Sequence, residues 1–178
     1  MVKKIIIPAT LITSVREYLK YHNLGNRGVE DGSPRKQEVG LIGELVVHHY
    51  LFGNYPNLSK REDSFDGGFD ILFKGKKIDV KTMERKSYVR PNFVNNFYTM
   101  QEGYDAEIIV FCSYHNIDNV IEICGWLPKS ELQTRGIFYE KGTQRNRTDG
   151  SSFKFRQNNY EVEVKDLDSI DTLKNSQE

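Results

Sequence analysis

Four residues have the types and spacing to do chemistry on an anion: Glu44, Asp70, Asp79 and Lys81. Asp79 and Lys81 stand two apart in Lys77-Ile78-Asp79-Val80-Lys81-Thr82-Met83, whose alternation predicts a strand. Phe69 to Phe73 reads as the strand before it. Between them Lys74-Gly75-Lys76-Lys77 predicts a tight turn with Gly75 and Lys76 at its tip. This register sets Phe73 opposite Ile78, Leu72 opposite Asp79, Ile71 opposite Val80 and Asp70 opposite Lys81. Opposed residues share a face of a sheet. Ile71, Phe73, Ile78 and Val80 then line the core face, and Asp70, Asp79 and Lys81 project together from the other, with Leu72 beside them. Two carboxylates and an ammonium so placed suit Mg²⁺, which prefers hard oxygen ligands. Such an ion activates water and offsets charge on a phosphate oxygen. The ammonium, a compact point charge, positions or deprotonates the water, or meets the phosphate. The backbone carbonyl of Val80 is an expected further ligand.

The elements that must position these groups follow from periodicity. A helix over about Arg35 to Phe52 carries an apolar stripe of Val39, Ile42, Leu45, Val46, His49 and Tyr50. Glu44 sits in it, in Gly40-Leu41-Ile42-Gly43-Glu44, where it can hold the metal's water or a second metal. Each glycine costs a helix ~1 kcal/mol against alanine, so a close neighbour is expected on that face. An earlier helix is expected over Ala9 to His22, after a short strand at Ile5 to Ile7. Strands are expected at Leu58 to Phe65, Asp105 to Tyr114 and Asn119 to Trp126, and a short helix over Asn95 to Gln101. Gly136 to Ser152 reads as an exposed loop, Tyr160 to Val164 as an edge strand, and the tail 171–178 as frayed.

A helix with Gly-x-x-Gly-Glu, then strands carrying Asp70 and Asp79-x-Lys81, resembles the PD-(D/E)XK nuclease superfamily. Gly125-Trp126-Leu127-Pro128 also resembles the Gly-Trp-x-Pro segment of small phage and prokaryotic members, and Tyr160-Glu161-Val162 with Leu167 their closing strand. The resemblance spans roughly residues 35 to 173. It implies a restriction-endonuclease-like α/β fold with an αβββαβ core, its mixed central sheet flanked by helices. It implies Mg²⁺-dependent, endonucleolytic hydrolysis of DNA, with Mn²⁺ as a substitute ion. Asp70, Asp79 and Val80 would hold metal, Lys81 would serve the water or phosphate, and Glu44 would complete the site. The usual motif proline is absent: Gly68-Phe69 precedes Asp70. The Gln-x-x-x-Tyr helix of recombination exonucleases is also missing, since Gln101 and Tyr104 have the wrong spacing.

The 178 residues suit one domain, with a core over about 35–168 and the 9–22 helix as an extension. Lys+Arg and Asp+Glu balance at 25 each, so no global field draws nucleic acid. Local clusters are the expected contacts: Lys74, Lys76 and Lys77 at the hairpin, Arg85, Lys86 and Arg90 after it, and Arg135, Lys141, Arg145 and Arg147 in the loop. Each could equally be a solvated charged face, and Asp70, Asp79 and Lys81 an exposed salt-bridge ladder. Glu44 and His48 could likewise be ordinary helix-surface residues. Trp126 is expected in the core rather than as a stacking platform. Cys112 and Cys124 lie in apolar runs, which points to a reducing, intracellular compartment; the resemblance implies the cytoplasm of a prokaryotic cell, with a phage origin open. No histidine has metal-ligand spacing with either cysteine, so zinc is not expected. Lys3-Lys4 and the apolar run after it only loosely mimic a signal peptide, because Pro8 and Thr10 break the run. No run reaches membrane-span length. RNA as substrate and a homodimer stay open. The competing functions are a non-catalytic nucleic-acid-binding module on the same fold and a phage structural or interaction protein.

Overall fold

Ser33 opens the longest helix by accepting the Lys36 N–H at 3.3 Å, and Pro34 follows where a missing N–H costs nothing. In the computed structural model, which describes residues 1–24, 33–60, 68–146, 150 and 152–176, this helix is α2, Pro34–Phe52. Gly53 closes it with its N–H on the His49 carbonyl, 2.8 Å away. The expected stripe residues Val39, Ile42, Leu45 and Val46 are buried, and so are Leu41 and Val47. The wider burial has a cause: α2 packs against both the sheet and helix α1, Ala9–Leu19. Tyr18 and Val15 of α1 are buried, and the helix ends three residues before His22.

Among the described residues the main sheet has five strands. They are β1 (Lys3–Ile6), β2 (Ile71–Phe73), β3 (Lys76–Arg85), β5 (Ile108–His115) and β6 (Val120–Pro128), in the order β1-β6-β5-β3-β2. Among these described strands β3 and β5 pair in parallel and the other neighbours antiparallel. A second, antiparallel sheet sets β10 (Asn159–Glu163) between β4 (Val94–Tyr98) and β7 (Ile137–Tyr139). β8 (Gln144–Asn146) and β9 (Ser152–Lys154) form a small hairpin. Two short helices, α3 (Leu132–Arg135) and α4 (Ile170–Asn175), complete a mixed α/β fold with four α-helices among the described residues.

Two apolar clusters divide the molecule according to the parity of the strands. Ile78, Val80, Ile108, Val110 and Cys112 pack with α1, α2 and α4 on one side of the main sheet. Ile109, Phe111 and Leu127 pack with Phe97, Tyr160 and Val162 of the second sheet on the other. Every residue of β5 is therefore buried. Cys124, extra at the irregularity between Phe111 and Cys112, joins the second cluster, and Cys112 joins the first. Among the described residues no helix is long and apolar enough to cross a membrane.

Several expectations are corrected. The hairpin pairs Ile71 with Ile78, Leu72 with Lys77 and Phe73 with Lys76, so Lys74 and Gly75, not Gly75 and Lys76, form the tip. Both tip residues have positive φ, 48° and 72°, as a type I′ turn requires. The shift is two residues, an even number, so each side chain keeps its expected face. Asn95 to Gln101 forms β4 and a single 3₁₀ turn rather than a helix, because Asn95 and Phe97 are buried against the sheet on alternate positions. Leu58–Lys60 is a 3₁₀ turn, and the rest of the strand expected there lies outside the described residues. β10 is a central strand, since Glu161 is buried and paired with Arg145 instead of facing water. The expected loop at 136–152 contains β7 and β8. The tail is helical to Asn175, held by buried Ile170 and Leu173.

The two internal glycines of α2 separate cleanly. A Cβ on Gly43 would fall on Thr82 Oγ1 of β3, whereas one on Gly40 would meet nothing within 4 Å. Gly43→Ala is expected to destabilise by about 1–3 kcal/mol through overpacking, lowering the melting temperature by about 2–4 °C per kcal/mol at this chain size. Gly40→Ala is expected to raise it, by up to about 1 kcal/mol of helix propensity. Thermal melts of both variants check the contrast; equal shifts would mean α2 does not bear on Thr82.

Candidate active site

The turn between β2 and β3 brings Asp70 and Asp79 together at the far end of the hairpin. Asp70 precedes β2, and its N–H still donates to the Ile78 carbonyl at 2.8 Å. Its Oδ2 accepts the Val80 N–H at 2.7 Å, so the carboxylate is drawn to the backbone of β3. Asp79 is only 5% exposed. Lys81 donates from Nζ to Asp79 Oδ1 at 2.7 Å, with a side chain 18% exposed. A solvated salt-bridge ladder does not describe this pair, because both members are largely removed from water.

Glu44 arrives from α2 through the contact beside it. Gly43 carries no side chain, so the helix closes onto Thr82, the residue after Lys81. Glu44 is thereby brought within electrostatic reach of Asp70. Burial raises the Asp70 carboxyl well above its ordinary range, and the charges of Glu44 and then Asp79 raise it further; Lys81 and the Val80 N–H act against them. Three carboxylates thus share a poorly solvated region with the Lys81 ammonium. Hard oxygens and excess negative charge are what a divalent ion complements, and Mg²⁺ commonly takes only one or two protein carboxylates and keeps several waters. The fitting donors are Asp70, Asp79 and the Val80 carbonyl, with Glu44 toward a bound water. Among the described residues no group of three or more His, Cys, Asp or Glu side chains forms a ready-made metal cluster.

The segment that leads into Asp70 is clamped. Gly68 has φ 89°, and a Cβ there would run into the Tyr104 ring. The Tyr104 carbonyl in turn accepts Lys129 Nζ at 2.5 Å. Lys129 was not among the expected site residues, yet burial lowers its ammonium while Asp79, Glu102 and Asp105 raise it and Lys81 lowers it. It follows Pro128 of the Gly-Trp-Leu-Pro segment directly, which is the one sequence signal that could have marked it. Trp126 itself is structural: its Nε1 donates to the Ser169 carbonyl at 3.1 Å and to Thr172 Oγ1 at 3.0 Å.

The expected phosphate contacts are dispersed. Lys74 donates to the carbonyls of Lys174 and Ser176, at 3.0 and 2.5 Å. Lys76 pairs with Glu107 and Lys77 with Asp105. Arg85 lies half-buried, donates to the Val94 carbonyl at 2.5 Å and is lowered in pKa by its burial, so it braces β4 rather than facing solvent. Arg135 binds Glu131 and Asp168, and Arg145 pairs with buried Glu161. Lys86, Arg90 and Lys141 are exposed; Arg147 lies outside the described residues. His48 Nδ1 donates to the Asn54 carbonyl, 3.0 Å away, and the ring stacks on Phe52. Both cysteines are free and buried, Cys112 with its thiol pushed well up and Cys124 to about 12, mainly by burial.

No protein-family model, curated protein or solved structure matches the chain.

The raised Asp70 pKa has a sign. A folded carboxyl pKa above the unfolded value, about 3.9, means the native state holds the proton more tightly, so stability falls as pH rises through that interval. Asp70→Asn is therefore expected to melt higher than the parent at pH 7 in EDTA, with the gain shrinking as pH approaches 4. An equal offset at both pH values would remove the electrostatic origin.

Proposed function

We propose that the protein is a Mg²⁺-dependent endonuclease that hydrolyses phosphodiester bonds in DNA. The observation that carries this reading is the buried Asp79–Lys81 pair beside the crowded carboxyl of Asp70. Charges held out of water at such cost are more typical of functional sites than of surface ornament. The resemblance to the PD-(D/E)XK superfamily supports the same reading from the side of sequence. So does the order of elements: a helix bearing Glu44, a hairpin bearing Asp70, Asp79 and Lys81, then β5 parallel to β3. The αβββαβ core is an extension of that order. Its first strand would fall in 58–65, largely outside the described residues, and β4 with a 3₁₀ turn stands where the core's second helix would lie.

In this reading Asp70, Asp79 and the Val80 carbonyl hold the metal, and Glu44 orients a water. Mg²⁺, with Mn²⁺ as a substitute, supplies when bound a lowered water pKa and charge compensation on the phosphate. Lys81 keeps one N–H on Asp79 and turns its other donors to the water or a non-bridging phosphate oxygen; a lysine ammonium has three. The water oxygen forms a bond to phosphorus and gives up a proton, the bond to the leaving sugar oxygen breaks, and that oxygen takes a proton, so that water is added across the P–O bond.

The test is incubation of the purified protein with supercoiled plasmid and linear DNA in Mg²⁺, Mn²⁺ or EDTA. Cleavage in either metal, absent in EDTA, is expected, with Asp79→Ala and Lys81→Ala slower by on the order of 10²-fold or more. Nicked against linear product distinguishes one active chain from a concerted pair. DNA that is bound but never cut would favour the binding module; neither binding nor cutting would favour the interaction protein.

A further inference from the structure

The row of backbone bonds across the main sheet places a second cation on the face of the candidate site. Glu107 N–H donates to the Lys77 carbonyl and Lys129 N–H to the Glu107 carbonyl, both at 2.8 Å. The next row pairs Ile78 with Ile108 and Ile108 with Pro128. Paired residues share a face, and alternate residues along a strand share it too. Lys129 therefore projects on the side of Leu127, Ile109, Asp79 and Lys81. Two strand spacings, about 10 Å, separate the Lys129 backbone from that of β3.

We propose that Lys129 binds a backbone phosphate of the nucleic-acid substrate next to the scissile one. This rests on the nuclease reading of Asp79 and Lys81. Three observations point to an anion. Lys129 is half-buried in the wall of a groove of about 800 Å³ that Trp126, Pro128 and Leu132 also line, together with Glu102 and with Glu107, which Lys76 neutralises. Asp79 and Lys81 do not line this groove, and Lys129 links it to them: it shares their face of the sheet and feels both their charges. Its Nζ contact is a neutral carbonyl, that of Tyr104, whereas Lys76 and Lys77 nearby are matched by Glu107 and Asp105. The Lys129 charge is held in place and left uncancelled by direct contact. A strand leaving the metal site along this groove would set a phosphate against it. The Tyr104 bond adds a second effect: Tyr104 packs on Gly68, so the same ammonium that grips substrate steadies the approach to Asp70.

The experiment measures binding of a labelled oligonucleotide, single-stranded and duplex, in Ca²⁺ over a range of salt, and cleavage in Mg²⁺. Lys129→Ala is expected to weaken binding about tenfold and to raise KM more than it lowers kcat. It should also reduce the slope of log affinity against log salt by about one, the signature of one lost phosphate contact. Lys129→Arg should keep the slope. If the alanine variant fails to fold, Lys129→Gln, which keeps a donor for the Tyr104 carbonyl, carries the same comparison. An unchanged salt slope overturns the proposal, whether activity persists or falls with the melting temperature; the latter would reduce Lys129 to a structural tether. Slope loss in a protein that binds but never cuts upholds Lys129 as a phosphate ligand and overturns hydrolysis instead. Absence of any binding by the parent protein overturns both.

Discussion

The distance at which α2 can approach β3 governs the rest of this structure. The contact is side-chain-free on the helix side at Gly43 and small on the sheet side at Thr82. Only that pairing lets the helix settle deeply enough for Leu41, Ile42, Leu45 and Val46 to reach near-complete burial. The same approach carries Glu44 toward Asp70. Packing and electrostatics are therefore set by one steric constraint. A helix lifted to clear a methyl group would loosen the apolar cluster and dilute the acidic one together.

The charges on the other face work against stability. Asp79 and Lys81 have left water, and the pair recovers only part of the loss through its 2.7 Å contact. Asp70 adds a carboxyl that neighbouring carboxylates repel. Nothing in the folding of an α/β sheet asks for this, since apolar residues of similar size would fill the space more favourably. The cost is tolerable because β5, buried along its whole length, and the two apolar clusters on either side supply a rigid frame. Groups held in such a frame reorganise little when charge develops nearby, which is how preorganised sites lower barriers.

What was legible in the sequence follows from how local each determinant is. The cap at Ser33 and the close at Gly53 are written in adjacent residues, so α2 is readable to within a residue. Face assignment in the hairpin depends only on parity, which the apolar alternation of Ile71, Phe73, Ile78 and Val80 supplies. The tip was misplaced because Lys74 adopts a positive φ, a conformation its side chain does not advertise. β4 was obscured by its asparagines: Asn95 is buried yet polar, so its segment lacks an apolar signature. Helix α4 and Lys129 depend on partners more than twenty residues away, Trp126 for one and Tyr104 for the other. No window of local sequence contains that information. The ion pairs within the clusters of Lys and Arg were hidden for a similar reason, because the carboxylates that engage Arg145 and Lys77 lie well apart from them in the chain.

Lys74, at the tip of the hairpin, holds the carbonyls of Lys174 and Ser176. β1, at the other end of the chain, waits for β6 to be made before it has a partner. During synthesis the hairpin emerges with its aspartates long before either of these ties can form. Both are closures over a hundred residues or more of chain, which form slowly. These two ties can thus be made only once residues 120–176 have been synthesised. The order of residues along the polypeptide therefore leaves the crowded carboxylates without their surrounding frame until late in folding.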